Sequence, residues 1–170
     1  MRRLLLAAAL LSSALLPAAC GGTNPKVEEP IIRSFLRDLG RAVYSNDKEK
    51  ISAFVLLTAG QRGNPVGAQQ ADTPEGKEKI REGNRRNLRS IFLDAGILTQ
   101  EALKGNPVPD EQALNRFDAA VRIHVDGKNA TARFDIAGTP RRLAEVVTFQ
   151  LVKAENGWRM YDYERETKNQ

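Results

Sequence analysis

Apolar residues at positions 32, 35, 36, 39 and 43 (Ile32, Phe35, Leu36, Leu39, Val43) recur at helical spacing and mark one buried stripe. Arg33, Arg37, Asp38 and Arg41 fall mostly off that stripe. Pro30 is expected to open this helix, because its fixed φ and missing N–H do no harm in a first turn. Ser45-Asn46-Asp47 ends it and caps a second helix, whose apolar residues are Ile51, Phe54, Val55 and Leu56. Thr58 to Asp72 shows no period and reads as a long loop. Thr73-Pro74 combines a cap with a first-turn proline and predicts a third helix to about Ala95, stopped by Gly96. A short turn from Leu98 to Gly105, capped by Thr99, and an extended Asn106–Pro109 follow. Asp110 then caps a last helical stretch through Phe117.

From Asp118 the period changes to two. Val121, Ile123 and Val125 alternate with Arg122 and His124, and Ala130, Ala132, Phe134 and Ile136 with Thr131, Arg133 and Asp135. A two-residue Gly127-Lys128 loop sets Val125 opposite Ala130 and Ile123 opposite Ala132. Both strands then show one apolar face, and a slip of one residue would destroy the match. A second hairpin joins Leu143–Ala154 to Trp158–Glu164 through Glu155-Asn156-Gly157. A three-residue loop with Gly157 left-handed sets Leu151 opposite Tyr161 and Phe149 opposite Tyr163. The fold class expected is therefore α+β, with N-terminal helices packed on a curved antiparallel sheet of two long hairpins. Ile123, Phe134, Phe149 and Leu151 are expected to be buried beside Phe35 and Leu39.

The N-terminus is of another kind. Met1-Arg2-Arg3, an apolar run from Leu4 to Leu16, and Pro17-Ala18-Ala19-Cys20-Gly21-Gly22 have the form of a secretory leader. The run is too short to span about 30 Å of hydrocarbon. Cys20 is the only cysteine, so no intramolecular disulfide is possible. Cys20 after small residues resembles the lipobox of bacterial lipoproteins, although Pro17 stands where that motif usually has Leu. The resemblance implies an acylated, palmitate-bearing Cys20 as mature N-terminus. Gly21, in place of a retention Asp, implies the outer membrane of a diderm cell. Ordinary cleavage and an uncleaved anchor are the other readings of the same residues.

The expected organisation is residues 1–19 as leader, 20–29 as tether, 30–165 as one domain and 166–170 as tail. Extended, the nine residues from Gly21 to Glu29 reach roughly 30 Å. Net charge is +5 over 170 residues. Removing Arg2 and Arg3 with the leader leaves 24 basic and 21 acidic residues, a mild balance unlike that of nucleic-acid-binding chains.

Ala42-Val43-Tyr44-Ser45-Asn46-Asp47, and the segment Phe149 to Met160 with Gly157-Trp158 opening the last strand, resemble the nuclear transport factor 2-like superfamily. That resemblance implies a cystatin-like cone, a sheet wrapped around a long first helix. Ketosteroid isomerases and dehydratases of that superfamily use Asp, Tyr or His side chains inside the cone, so Tyr44, Tyr161 and Tyr163 are the pocket candidates. No carboxylate shares their strand faces as a matching base.

Elsewhere the chemistry is sparse. HExxH, CxxC and a Walker loop are absent from the sequence, and one His with one Cys does not make a zinc site. No metal or cofactor is expected. His124 falls on the polar face with Arg122 and Arg133, pointing away from a cone. Lys77, Arg81, Arg85 and Arg89 form a basic stripe on the third helix, a candidate for an anionic surface, partly relieved by Glu78 and Glu82. The favoured function is a non-enzymatic cell-envelope lipoprotein whose cone binds a small apolar ligand or a protein partner. A cone-fold lyase or isomerase, and an assembly scaffold acting through the basic helix, are the alternatives. The expected partners are a membrane through the lipid on Cys20, an anionic envelope surface or a protein, and a second copy of the chain.

Overall fold

Asn24-Pro25, not Pro30, starts the first helix. In the computed structural model, which describes residues 23–56, 73–98, 109–140 and 143–168, helix α1 spans Pro25–Ser45. The Asn24 side chain accepts from the Lys26 N–H at 3.1 Å, and Pro25 takes the first turn, where a missing donor costs nothing. The expected tether is thereby corrected, since residues 25–29 are helical. A tertiary contact explains the difference. Glu28 is buried at 5% exposure and accepts from Lys153 and, at 2.9 Å, from Trp158 Nε1, so the first turn is tied to the sheet. Pro30 lies inside α1, where it withholds a hydrogen bond from the Lys26 carbonyl one turn from the helix end. The leader, Cys20, the loop at 58–72, and all but Leu98 of the turn expected from Leu98 to Gly105 lie outside the described residues.

Asn46 adopts φ 53° and ends α1, and the Asp47 carboxylate caps α2 (Lys48–Phe54) by accepting from Glu49 and Lys50 N–H. Helix α3 (Pro74–Asp94) begins with Thr73 accepting from Gly76 N–H at 3.0 Å, and closes before Gly96 at φ 69°. Helix α4 (Glu111–Ala120) is capped by Asp110 and runs three residues beyond Phe117. Three of the four caps, Asp47, Thr73 and Asp110, were legible before a helical pattern, whereas Asn24 was not.

The sheet is a meander in the order β1-β2-β3-β4: β1 (Arg122–Asp126), β2 (Asn129–Ile136), β3 (Glu145–Ala154) and β4 (Gly157–Thr167). The first hairpin pairs Val125 with Ala130 and Ile123 with Ala132, as the parity requires. The second is corrected near its turn. Leu151 faces Met160, not Tyr161, while Phe149 does face Tyr163. One extra residue, Tyr161, sits in a bulge between these pairs and restores the register. Gly157 is left-handed at φ 103°. Strand β4 continues to Thr167, so the expected tail begins too early at 166.

The helices cover one face of the sheet. Ile32, Leu36, Leu39 and Val43 of α1, Leu88, Ile91 and Phe92 of α3, and Leu114 and Phe117 of α4 form one core with Ala132, Phe134, Phe149 and Leu151. Phe35 and Leu39 join it as expected, whereas Ile123, on the edge strand, is only partly buried. Gly40 marks the tightest crossing: a Cβ there would stand 2.6 Å from Leu114 Cδ2 and 3.3 Å from Phe92 Cε1. The close approach of α1 and α4 explains a helix-interior glycine that otherwise costs about 0.5–1 kcal/mol relative to alanine.

Candidate functional site

Aromatic rings pack between α3, α4 and the sheet. Phe117 and Phe134 meet edge-on at 5.0 Å between centroids and Phe134 and Phe149 at 5.3 Å, while Phe92 and Phe117 lie tilted by 47° at 5.6 Å. Phe92 and Phe149 stack at 6.4 Å. These separations are those of packed aromatic pairs, each contributing on the order of 0.5–1.5 kcal/mol beyond area burial.

The three pocket tyrosines differ in burial and in partners. Tyr44 is 1% exposed and its hydroxyl donates to the Ile97 carbonyl, joining the end of α1 to the segment after α3. Burial raises its pKa, so the phenol stays a neutral strut. Tyr161 sits half-buried in the β4 bulge. Tyr163 packs against the core edge opposite Phe149, and burial raises its pKa as well. The alternation places His124 as expected, exposed on β1 opposite Thr131 and between Arg122 and Asp126.

A buried carboxylate was not foreseen. Among the described residues Glu28 is the one buried acid. The hydrogen bond from Lys153, then that from Trp158, hold its carboxyl below the usual range against the opposing effect of burial. It is thus an ionised, fully engaged anion, unsuited to take a proton near neutral pH. Its signal lay in Glu28 and Lys153 being charged residues near apolar patterns, which spacing alone does not pair.

The basic stripe folds back on the protein. Arg89 Nη1 donates to the Val43 carbonyl at 2.9 Å, and Arg85 donates to the Asn46 side chain. Helix α1 has no basic residue in its last turn, so α3 supplies the positive charge that its carbonyl end favours. Burial, then Arg85, lowers the Arg89 pKa. Arg85 also grips Glu82 at 2.6 and 2.8 Å, and Arg81 lies 3.7 Å from Glu49 on α2. Lys77 alone of the four is fully on the surface. The arginines of α1 behave likewise. Arg33 reaches Glu29 and Asp118, while Arg37 and Arg41 share Glu111 at 3.1 Å, cross-linking α1 to α4.

A shallow depression of about 340 Å³ lies between α1 and α2, lined by Asp38, Arg41, Ala42, Ser45, Lys50, Ala53 and Phe54. None of the tyrosines reaches it. Among the described residues no group of three or more His, Cys, Asp or Glu is placed to hold a metal, and no helix is long and apolar enough to cross a membrane.

Comparison with protein-family models gives no match, and comparison with curated proteins gives none. Several solved structures are similar in chain course. A nuclear transport factor 2 (NTF2)-like superfamily protein from Salmonella enterica serovar Typhimurium is 13% identical, with a TM-score of 0.48 over 86% of this chain and 95% of that one. A proposed dehydratase of the NTF2-like family from Streptomyces avermitilis is 12% identical, with a TM-score of 0.46 over 86% of this chain and 100% of that one. An NTF2-like protein with a cystatin-like fold from Novosphingobium aromaticivorans is 17% identical, with a TM-score of 0.44 over 85% and 84%. At such identities the likeness transfers no chemistry.

Proposed function

We propose that this chain is an exported lipoprotein, acylated at Cys20, whose NTF2-like α+β domain is a non-catalytic module that binds a protein partner at the cell envelope. The observation that carries the non-catalytic reading is the ring cluster of Phe92, Phe117, Phe134 and Phe149, which packs between the helices and the sheet. Two further features support it. The Tyr44 hydroxyl already donates to the Ile97 carbonyl, and the Glu28 carboxylate is already paired with Lys153. Of the two binding alternatives, a small apolar ligand inside the cone and a protein on its surface, the filled interior favours the second.

The experiment has two arms. Palmitate labelling and detergent partition of the wild type against Cys20→Ser test the anchor: label and membrane association are expected to vanish together in the variant. A thermal-shift screen of the purified protein with fatty acids, sterols and small cyclic ketones tests the interior. No ligand is expected to raise the midpoint, while in-cell crosslinking from the domain surface is expected to trap a discrete protein adduct. A reproducible, saturable stabilisation by any of those ligands would overturn the surface-binding reading.

A further inference from the structure

Several contacts gather at one end of the domain. Thr23 donates its hydroxyl to the Gly127 carbonyl, which ties the start of the described chain to the β1–β2 turn. The Lys153 N–H donates to the Lys128 carbonyl at 2.8 Å, and Lys153 and Trp158 hold Glu28. The first turn of α1 and both hairpin turns therefore lie together. At this end Val27 and Ile31 remain 56% and 48% exposed, four residues apart on the outward side of α1 with exposed Pro30 beside them. Among the described residues only one other large apolar side chain is so exposed, Leu143, at the opposite end of the sheet. Lys26 and Lys128 are exposed at the same end as Val27.

Chain length gives the occupant. Three peptide units separate Cys20 from Thr23, and whatever their conformation they span no more than about 10 Å. An acyl group on Cys20 thus holds this end of the domain, and not another, within about 10 Å of the lipid headgroups. At that distance the local concentration of surface is high, so a small apolar pair with two cations is enough to dock.

We infer that this end is a membrane-resting face, with Val27 and Ile31 entering the headgroup region of the anchoring bilayer and Lys26 and Lys128 against its anionic lipids. The inference rests on the acylation of Cys20 proposed above. It also fixes an orientation: α1 points away from the bilayer, and residue 45 lies about 27 Å along the helix from residue 27.

The test uses the full, lipid-modified chain. Because lipid occupies Cys20, a single introduced cysteine can be labelled with an environment-sensitive fluorophore, in the variants Val27→Cys, Ile31→Cys and Ser45→Cys. Each is reconstituted into vesicles of phosphatidylcholine with and without phosphatidylglycerol, and flotation of the protein is recorded with the emission. Labels at 27 and 31 are expected to shift to the blue and gain intensity several-fold on reconstitution, while the label at 45 keeps its aqueous spectrum. Lys26→Glu with Lys128→Glu is expected to reduce the change in the phosphatidylglycerol vesicles alone. Aqueous spectra at both 27 and 31 in a chain that floats would overturn the resting face and leave the anchor standing. A chain that does not float overturns both.

Discussion

Glu28 decides where the folded domain begins. Without it, residues 25–29 read as a polar tether; with it, the first turn of α1 is pinned to β3 and β4 by one ion pair and one indole hydrogen bond. An anion removed from water in this way is worth keeping only while both partners stay in place. The pH dependence follows from the direction of its shift. The folded carboxyl gives up its proton more readily than the unfolded one, so in acid the unfolded chain holds more protons. Its contribution is complete above the unfolded value of about 4.3, and is lost as pH falls through the lower, folded value. Glu82, Glu111, Asp47 and Asp135 are shifted the same way by their own partners and add to the loss. Glu28→Gln keeps the shape and removes the charge. It is expected to lower the thermal midpoint at pH 7 and to flatten the decline below pH 4, read by melting curves across that range. An unchanged decline would assign acid sensitivity to the exposed pairs instead.

At the scale of elements, caps and alternation carried most of the fold. Asp47, Thr73 and Asp110 each announced a helix, and the parity of Val125, Ile123, Ala130 and Ala132 set the register of the first hairpin. The second hairpin shows where parity runs out. Two registers, one at Leu151–Met160 and one at Phe149–Tyr163, coexist across a bulge, and alternation in sequence has no symbol for an inserted residue. The basic stripe of α3 was legible as charge but not as direction. Spacing puts Lys77, Arg81, Arg85 and Arg89 on one side of a helix; only packing reveals that this side faces the carbonyl end of α1. Its members should therefore separate by depth. Arg89→Met removes the charged donor to the Val43 carbonyl, which keeps only the Asn46 N–H at 3.2 Å, and is expected to cost about 1–3 kcal/mol, whereas Lys77→Glu on the open surface should stay within about 0.5 kcal/mol. Chemical denaturation of the two variants measures this directly, and equal small losses would return the stripe to a solvated face. The candidate site was the least legible part. Tyrosine identity suggested pocket chemistry, and nothing in the sequence distinguishes a ring that lines a cavity from one that fills it.

For the molecule as a whole, the same ring cluster that closes the interior also joins its layers. Phe92 comes from α3, Phe117 from α4, Phe134 from β2 and Phe149 from β3, so no layer can leave without breaking aromatic contacts with another. The α1–α4 arginine ladder and the Glu28 contacts bind the helices to each other and to the sheet from the outside. Such cross-layer packing predicts one cooperative unit. The chain supplies its own reporters. Trp158 is the only tryptophan, 2% exposed in β4, and its fluorescence follows the sheet end that holds Glu28; far-ultraviolet circular dichroism follows the helices. The two signals are expected to trace one transition in denaturant. Phe134→Ala, which removes one of the four rings and its contacts with Phe117 and Phe149, should shift both curves together by about 3–5 kcal/mol. Were the interior a hollow that tolerates loss of a wall, the same substitution would cost far less. Were the helices and the sheet separate units, the tryptophan curve would move while the helical signal stayed behind. Coincident curves with a large common shift are the signature of a filled core shared by both layers.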